Sequence, residues 1–254
     1  MHGSRSGPLS GSSQVSGAFS PEYGALSPEY GAFRAETRAL SGVAAGLTQA
    51  ELDRPSPCPP WRIADLLCHV IIATGRIGPA IDAAAEASGA LVTAAGYYRP
   101  DQRFSAGVNA DRIDIAAALA VRLGTAESMC AELNNASSGS LTLLESCPAG
   151  QRVRTRHGDL MLLSEFAATR VVELAVHGLD LAAGLGRSPW LTAEAATVVE
   201  KVLLPGGATA ARALRERLGC DSSGLIARMT GRTLLSDADS ATLASYGVAE
   251  LSLG

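Results

Sequence analysis

The chain has 254 residues, is 47 % hydrophobic and 18 % charged, and carries a formal net charge of −4. That length supports one large domain or one domain with a small appendage, and the apolar content excludes a disordered chain. The acidic balance argues against a nucleic-acid binder that works by neutralising phosphates.

Residues 1–28 read as a leader, and 1–17 are rich in Ser and Gly without the apolar run of a secretory signal. A tandem seven-residue repeat follows, AFSPEYG at 18–24 and ALSPEYG at 25–31. Each Ser-Pro favours a helix start, Tyr23 and Tyr30 are its candidate binding groups, and two copies are too few for a solenoid. A helical pattern begins at Glu29, with Phe33, Leu40, Val43 and Leu47 on one stripe. A Pro-rich turn at 53–60 separates it from a second helix, which starts at Trp61 and turns Leu66, Val70, Ala73 and Ile77 inward. Pro79 bends or ends that helix. Beyond a loop through Gly96, Pro100 and Gly107, a third helix is expected over 110–133, carrying Ile115, Leu119 and Leu133.

Residues 134–140 read as a Ser/Gly/Asn turn, and 140–163 as a small hairpin or irregular chain. Ser164 is the expected N-cap of a fourth helix that reaches Leu185 and is closed by Gly186 and Pro189. Four long amphipathic segments over 29–190 predict an all-α four-helix bundle. Residues 191–254 read as a small C-terminal lobe, with helical patterns at 192–204, 206–218 and 237–246. No apolar run reaches the roughly 18–20 residues that cross a bilayer, so no membrane partner is expected. The cysteines (Cys58, Cys68, Cys130, Cys147, Cys220) are odd in number and never in CxxC spacing, which points to a reduced, cytoplasmic protein.

Two histidines need explaining. His177 follows Glu173 by four residues in VVELAVHGLDLAAGLG, so a carboxylate and an imidazole share one helical face. Arg170 and Asp180 share that face. His69 sits in the middle of the second helix, among Leu66, Leu67, Val70 and Ile71. Two bundle helices can therefore present His69, Glu173 and His177 to one point. Two imidazoles and a carboxylate with an open position make a catalytic zinc arrangement, and equally the facial triad of non-haem iron. Asp65, one turn before His69, and Asp180, three residues after His177, are placed to hydrogen-bond the far ring nitrogens. The plainer alternative is that Glu173 and His177 form an ordinary i, i+4 pair and His69 a satisfied core residue. A di-iron bundle is excluded, because the chain has no Glu-x-x-His element.

PCPPWRIADLLCHV (57–70), TRVVELAVHGLDLAAGLG (169–186) and the late MTGRTLLSDAD (229–239) together resemble a known family. It is the DinB-like bundle of mycothiol-dependent maleylpyruvate isomerases and related mycothiol S-transferases. The resemblance spans roughly residues 33 to 247 and is carried by Trp-x3-Asp-x3-His and Glu-x3-His-x2-Asp. It implies that His69, Glu173 and His177 bind a divalent metal, usually zinc with nickel or iron as options. It further implies mycothiol as the thiol co-substrate and a catalytic arginine in the tail, here Arg232. Arg76, along the helix from His69, is a second candidate for orienting thiol or substrate. His157 is expected to be a loop residue, with a general-base role as its alternative.

The resulting expectation is a metal-dependent thiol transferase acting on a small electrophile, as a monomer or homodimer. A cis–trans isomerase of the maleylpyruvate type is the first alternative. A bundle that binds a small ligand without turnover is the second.

Overall fold

The computed structural model describes residues 27–84, 88–98 and 105–248. The first copy of the tandem repeat, with Tyr23, and most of the expected leader lie outside the described residues. Helix α1 (Pro28–Ala44) follows Ser27 and opens on a proline, whose missing N–H is harmless in a first turn. Tyr30, Phe33, Thr37, Leu40 and Ala44 form its buried stripe, so Tyr30 is a core residue. The short α2 (Gln49–Leu52) is closed by a reciprocal Thr48–Glu51 capping box.

Helix α3 (Ile63–Thr74) is buried at every position except Ile72. It stops at Gly75, and α4 (Ile77–Asp82) starts anew after Arg76. The break expected at Pro79 thus comes earlier, and Pro79 falls in the first turn of α4, where no helical N–H is needed. Contrary to the sequence expectation, Ile63–Asp82 taken together is, by length and composition alone, long and apolar enough to cross a membrane. Most of that stretch is buried inside the protein, which accounts for the apolarity as bundle core.

The single third helix expected over 110–133 is two helices. After α5 (Ala94–Tyr97), α6 (Ala106–Leu123) ends at Gly124, which takes φ +71°, and α7 (Ala126–Ser146) begins behind the Thr125 N-cap. The expected turn at 134–140 is interior to α7. Two of its serines are buried and satisfied on helix carbonyls: Ser137 donates to Leu133 O at 2.7 Å and Ser140 to Thr74 O at 2.8 Å. Met129, Leu133 and Leu144 bury the same helix against the core. Tertiary packing there overrides the weak helix propensity of Asn, Ser and Gly.

The hairpin alternative for 140–163 is the one found. Strand β1 (Arg152–Arg154) pairs antiparallel with β2 (Leu160–Leu162), Val153 opposite Met161. Helix α8 (Leu163–Leu185) follows at once, with Leu162 rather than Ser164 at its N-cap and Gly186 in the left-handed conformation at its end. The tail holds α9 (Ala193–Leu203), α10 (Gly207–Leu218) and α12 (Asp237–Ser245) as expected, plus an unanticipated α11 (Ser222–Met229). Asp221 caps α11 by accepting the Gly224 N–H at 2.8 Å.

Among the described residues the fold is all-α apart from that hairpin. Helices α1, α3, α7 and α8 form the bundle, α6 lies on α3, and α9 packs against α1 and α8. Gly184 lets α8 approach α3 closely: a Cβ there would lie 2.6 Å from Ile63 Cδ1 and 3.2 Å from Pro57 Cδ. Fully buried Phe33, Leu66, Leu133 and Leu163 anchor the core, each worth roughly 1.5–3 kcal/mol of burial. The α3–α8 contact is where the candidate site lies.

Candidate functional site

His69 projects from α3, and Glu173 and His177 from adjacent turns of α8, to one point. Glu173 Oε2 is 3.4 Å from His69 Nε2 and 3.6 Å from His177 Nε2. The two imidazoles meet edge to face, their centroids 4.8 Å apart. One ligand atom from each of the three residues lies within 4.8 Å of the others. A tetrahedral zinc with bonds of about 2.0–2.1 Å separates its donors by roughly 3.4 Å. The donor set and its spacing therefore fit a divalent cation with little rearrangement.

The histidines are held from behind. Trp61 stacks on His69 at 4.9 Å between centroids, and the Trp61 Nε1 is buried with no partner among the described residues. His177 Nδ1 lies 3.0 Å from Asp180 Oδ2. Asp180 in turn receives Arg232 on both oxygens, Nε at 3.1 Å and Nη2 at 3.0 Å, while Arg232 Nη1 donates to Thr230 O. Arg232 thus stands behind Asp180 and is not among the residues lining the cavity that the triad faces. Asp65 does not support His69. Both its oxygens accept from the Arg62 side chain, and Oδ2 also takes the Arg62 backbone N–H at 2.9 Å, capping α3. A carboxylate at the third position of a helix satisfies the orphan N–H groups at its own start more readily than a ring one turn on.

Burial and partners set the charges. Burial pushes the His69 imidazole down to about 4, with help from His177, which leaves a neutral ring with a lone pair. At His177 burial acts the same way, but hydrogen bonds with Asp180, Cys58 and Glu173 outweigh it and hold the pKa well above the usual 6.5. Burial alone would raise the Glu173 and Asp180 carboxyls. His177 and His69 keep the first ionised, and His177 and Arg232 the second.

The triad lines a cavity of about 180 Å³. Trp61, Tyr97, Phe166 and Arg170 form part of its wall. Buried Arg170 lies 4.8 Å from the Phe166 ring centroid and 6.0 Å from that of Tyr97, and donates to Thr169 Oγ1 at 3.2 Å. Tyr98 fixes the neighbouring turn by donating its hydroxyl to Thr169 O. Arg76 lines the cavity from the α3–α4 junction and Arg112 from α6. Arg154, Arg156 and His157 line it from the hairpin, with His157 6.2 Å from Tyr97 between ring centroids.

The structure therefore brings together His69, Glu173, His177 and Asp180, joins Arg232 to Asp180 behind them, puts Arg76 on the cavity wall, and turns Asp65 to Arg62. Sequence reasoning missed the Trp61 stack, the Cys58–His177 contact and the hairpin arginines. The density of basic residues in RVRTRHG was the available signal for the last.

The profile of the family described as the mycothiol maleylpyruvate isomerase N-terminal domain matches residues 33–182, more than half of the chain. No curated protein sequence matches. Among solved structures, a mycothiol-dependent maleylpyruvate isomerase is 16 % identical with a TM-score of 0.48, covering 78 % of this chain and 73 % of that one. A histidine-to-alanine mutant described by the same name is 15 % identical with a TM-score of 0.47 and the same coverage. On the profile match, the chain belongs to the mycothiol maleylpyruvate isomerase N-terminal domain family, a family of enzymes.

Proposed function

We propose that this protein is a metal-dependent S-transferase that joins the sulfur of mycothiol to a carbon of a small electrophile, either adding across an activated C=C bond, whose neighbouring carbon takes up the thiol proton, or displacing a leaving group that departs with that proton. The observation that carries the reading is the His69–Glu173–His177 group, its two histidines buried and its carboxylate partly exposed, opening on a cavity. These three residues would hold the metal, zinc first and nickel or iron as alternatives. When bound, such a cation supplies Lewis acidity that keeps a thiol ionised near neutral pH, where a free thiol of pKa about 8.5 is mostly protonated.

The chain's own groups do the rest. His69 is already the neutral imidazole a ligand must be, and His177 would release its Nε2 proton as a cation binds. Asp180 orients His177 through Nδ1, and Arg232 positions Asp180. Trp61 packs on the His69 ring and excludes water from that side. Arg76 orients a co-substrate within the cavity. We read residues 29–190 as the unit that carries this site and 191–254 as a lobe that contributes Arg232. A cytoplasmic location suits the five free cysteines.

Cis–trans isomerisation is the second reading, favoured by the family's own description. Product analysis separates the two: transfer leaves a thioether, whereas isomerisation returns the thiol unchanged. The reading is tested by elemental mass spectrometry on protein purified without added metal. Close to one equivalent of zinc, nickel or iron per chain is expected, lost in His69→Ala. Protein that holds no metal and takes up none on dialysis against zinc would be a ligand-binding bundle instead.

A further inference from the structure

Among the described lining residues, Arg76, Arg112, Arg154, Arg156 and Arg170 share the cavity with a single carboxylate, Glu173, which both histidines already engage. Arg170 is committed to Thr169, Phe166 and Tyr97, and Arg154 donates to Gly158 O at 3.0 Å. Arg76 and Arg156 stand differently. Arg76 is partly buried at the α3–α4 junction, and Arg156 is exposed on the hairpin turn. The Arg156 Nε bond to His157 Nε2, 3.1 Å long, brings no negative charge. Both guanidinium pKa values are lowered, first by lost solvation and then by other arginines, Arg170 acting on Arg76 and Arg112 and Arg76 on Arg156. Cations that repel one another around a cavity are stabilised by an anion among them, and a planar carboxylate matches the donor fork of a guanidinium.

We propose that Arg76 and Arg156 form a clamp for a carboxylate on the electrophilic co-substrate, turning its reactive carbon toward the His69–Glu173–His177 group. The inference rests on reading that cavity as the reaction site. The aromatic walls of Trp61, Tyr97 and Phe166 suit a planar, unsaturated carbon skeleton attached to the carboxylate. A carboxylate on the thiol would satisfy the same chemistry, so the test separates the two sources.

Isothermal titration calorimetry on the full chain, with and without EDTA, compares trans-cinnamate with its neutral amide. Cinnamate is expected to bind about tenfold more tightly than the amide, and less tightly as salt is raised. Arg76→Gln and Arg156→Gln should each weaken cinnamate about tenfold and leave the amide unchanged, with Arg→Lys at either position restoring part of the loss. Binding should persist in EDTA, which keeps this result independent of the metal reading. Circular dichroism melts of the variants confirm that they fold. Equal affinity for the two probes, or folded glutamine variants that bind cinnamate like the parent, overturns the clamp. So does cinnamate binding that vanishes on chelation while the arginine variants have no effect. A parallel titration uses N-acetylcysteine and its amide. Variants that weaken N-acetylcysteine but not cinnamate place the carboxylate on the thiol and overturn the assignment to the electrophile.

Discussion

Asp180 is 2 % exposed, yet it is ionised, because His177 meets one oxygen and Arg232 meets both. A buried carboxylate so placed fixes the His177 ring and makes Nε2 the better donor. Arg232 therefore acts at one remove from the chemistry, as a positioning residue. Arg232→Gln should cost about 3 kcal/mol, since it strips one partner from a buried pair. It should also weaken metal binding roughly ten- to a hundredfold, with Arg232→Lys recovering part of that affinity. Competitive titration with a metal chelator reads the affinity, and thermal unfolding reads the stability. An unchanged metal affinity would return Arg232 to a merely structural role. The convergence of His69, Glu173 and His177 could be read from the sequence because the i, i+4 spacing sets two of them on one helical face and His69 lies mid-helix on a segment that packs in the bundle. The Arg232–Asp180 pair could not, because its partners are 52 positions apart and meet only through the fold of the tail.

Element boundaries were legible where a proline or glycine enforced them and illegible where packing decided. Ser27-Pro28 and Gly186 mark helix ends in both sequence and structure. Gly124 divides the expected third helix, but a lone glycine in an apolar pattern reads as tolerated, and only the Thr125 cap made the break identifiable. The Asn/Ser/Gly run in α7 was misread because the carbonyls that satisfy Ser137 and Ser140 are unknown until the helices meet. Helix α9 is tied to α1 in a way sequence does not show. Glu36, 1 % exposed on α1, accepts the Thr192 N–H at 2.9 Å and the Thr192 hydroxyl at 2.7 Å through Oε2, while Oε1 is buried with no hydrogen-bond partner among the described residues. Burial raises the Glu36 carboxyl above its usual 4.5, against the pull of Thr192. Between 4.5 and that raised value the native state holds more protons than the unfolded chain, so stability falls as pH rises through the window. Above the raised value the penalty is complete. Denaturant unfolding from pH 4 to 8 should show this downward slope in the parent and a flatter profile in Glu36→Gln. The same slope in both would assign it to another group.

At the scale of the whole molecule, the site joins two helices that are distant in sequence. On the proposed reading, His69 on α3 and Glu173 and His177 on α8 would make a cation a cross-link through the middle of the bundle, next to the close approach at Gly184. A cation bound by the folded state and weakly by the unfolded chain stabilises the fold by mass action, about 2.7 kcal/mol at a free concentration one hundredfold above its dissociation constant. For a chain of this size that corresponds to a melting temperature roughly 5–10 °C higher. Removing metal with a chelator should lower the melting temperature of the parent by that amount, and restoring zinc should recover it. His177→Ala should melt at the same temperature with and without chelator. That variant also relieves the crowding of Glu173 by two rings, so its own baseline need not match the chelated parent; the missing chelator response is the diagnostic. A parent protein whose melting is indifferent to chelator would make the triad a satisfied polar cluster in a ligand-binding bundle, with the family likeness confined to the fold.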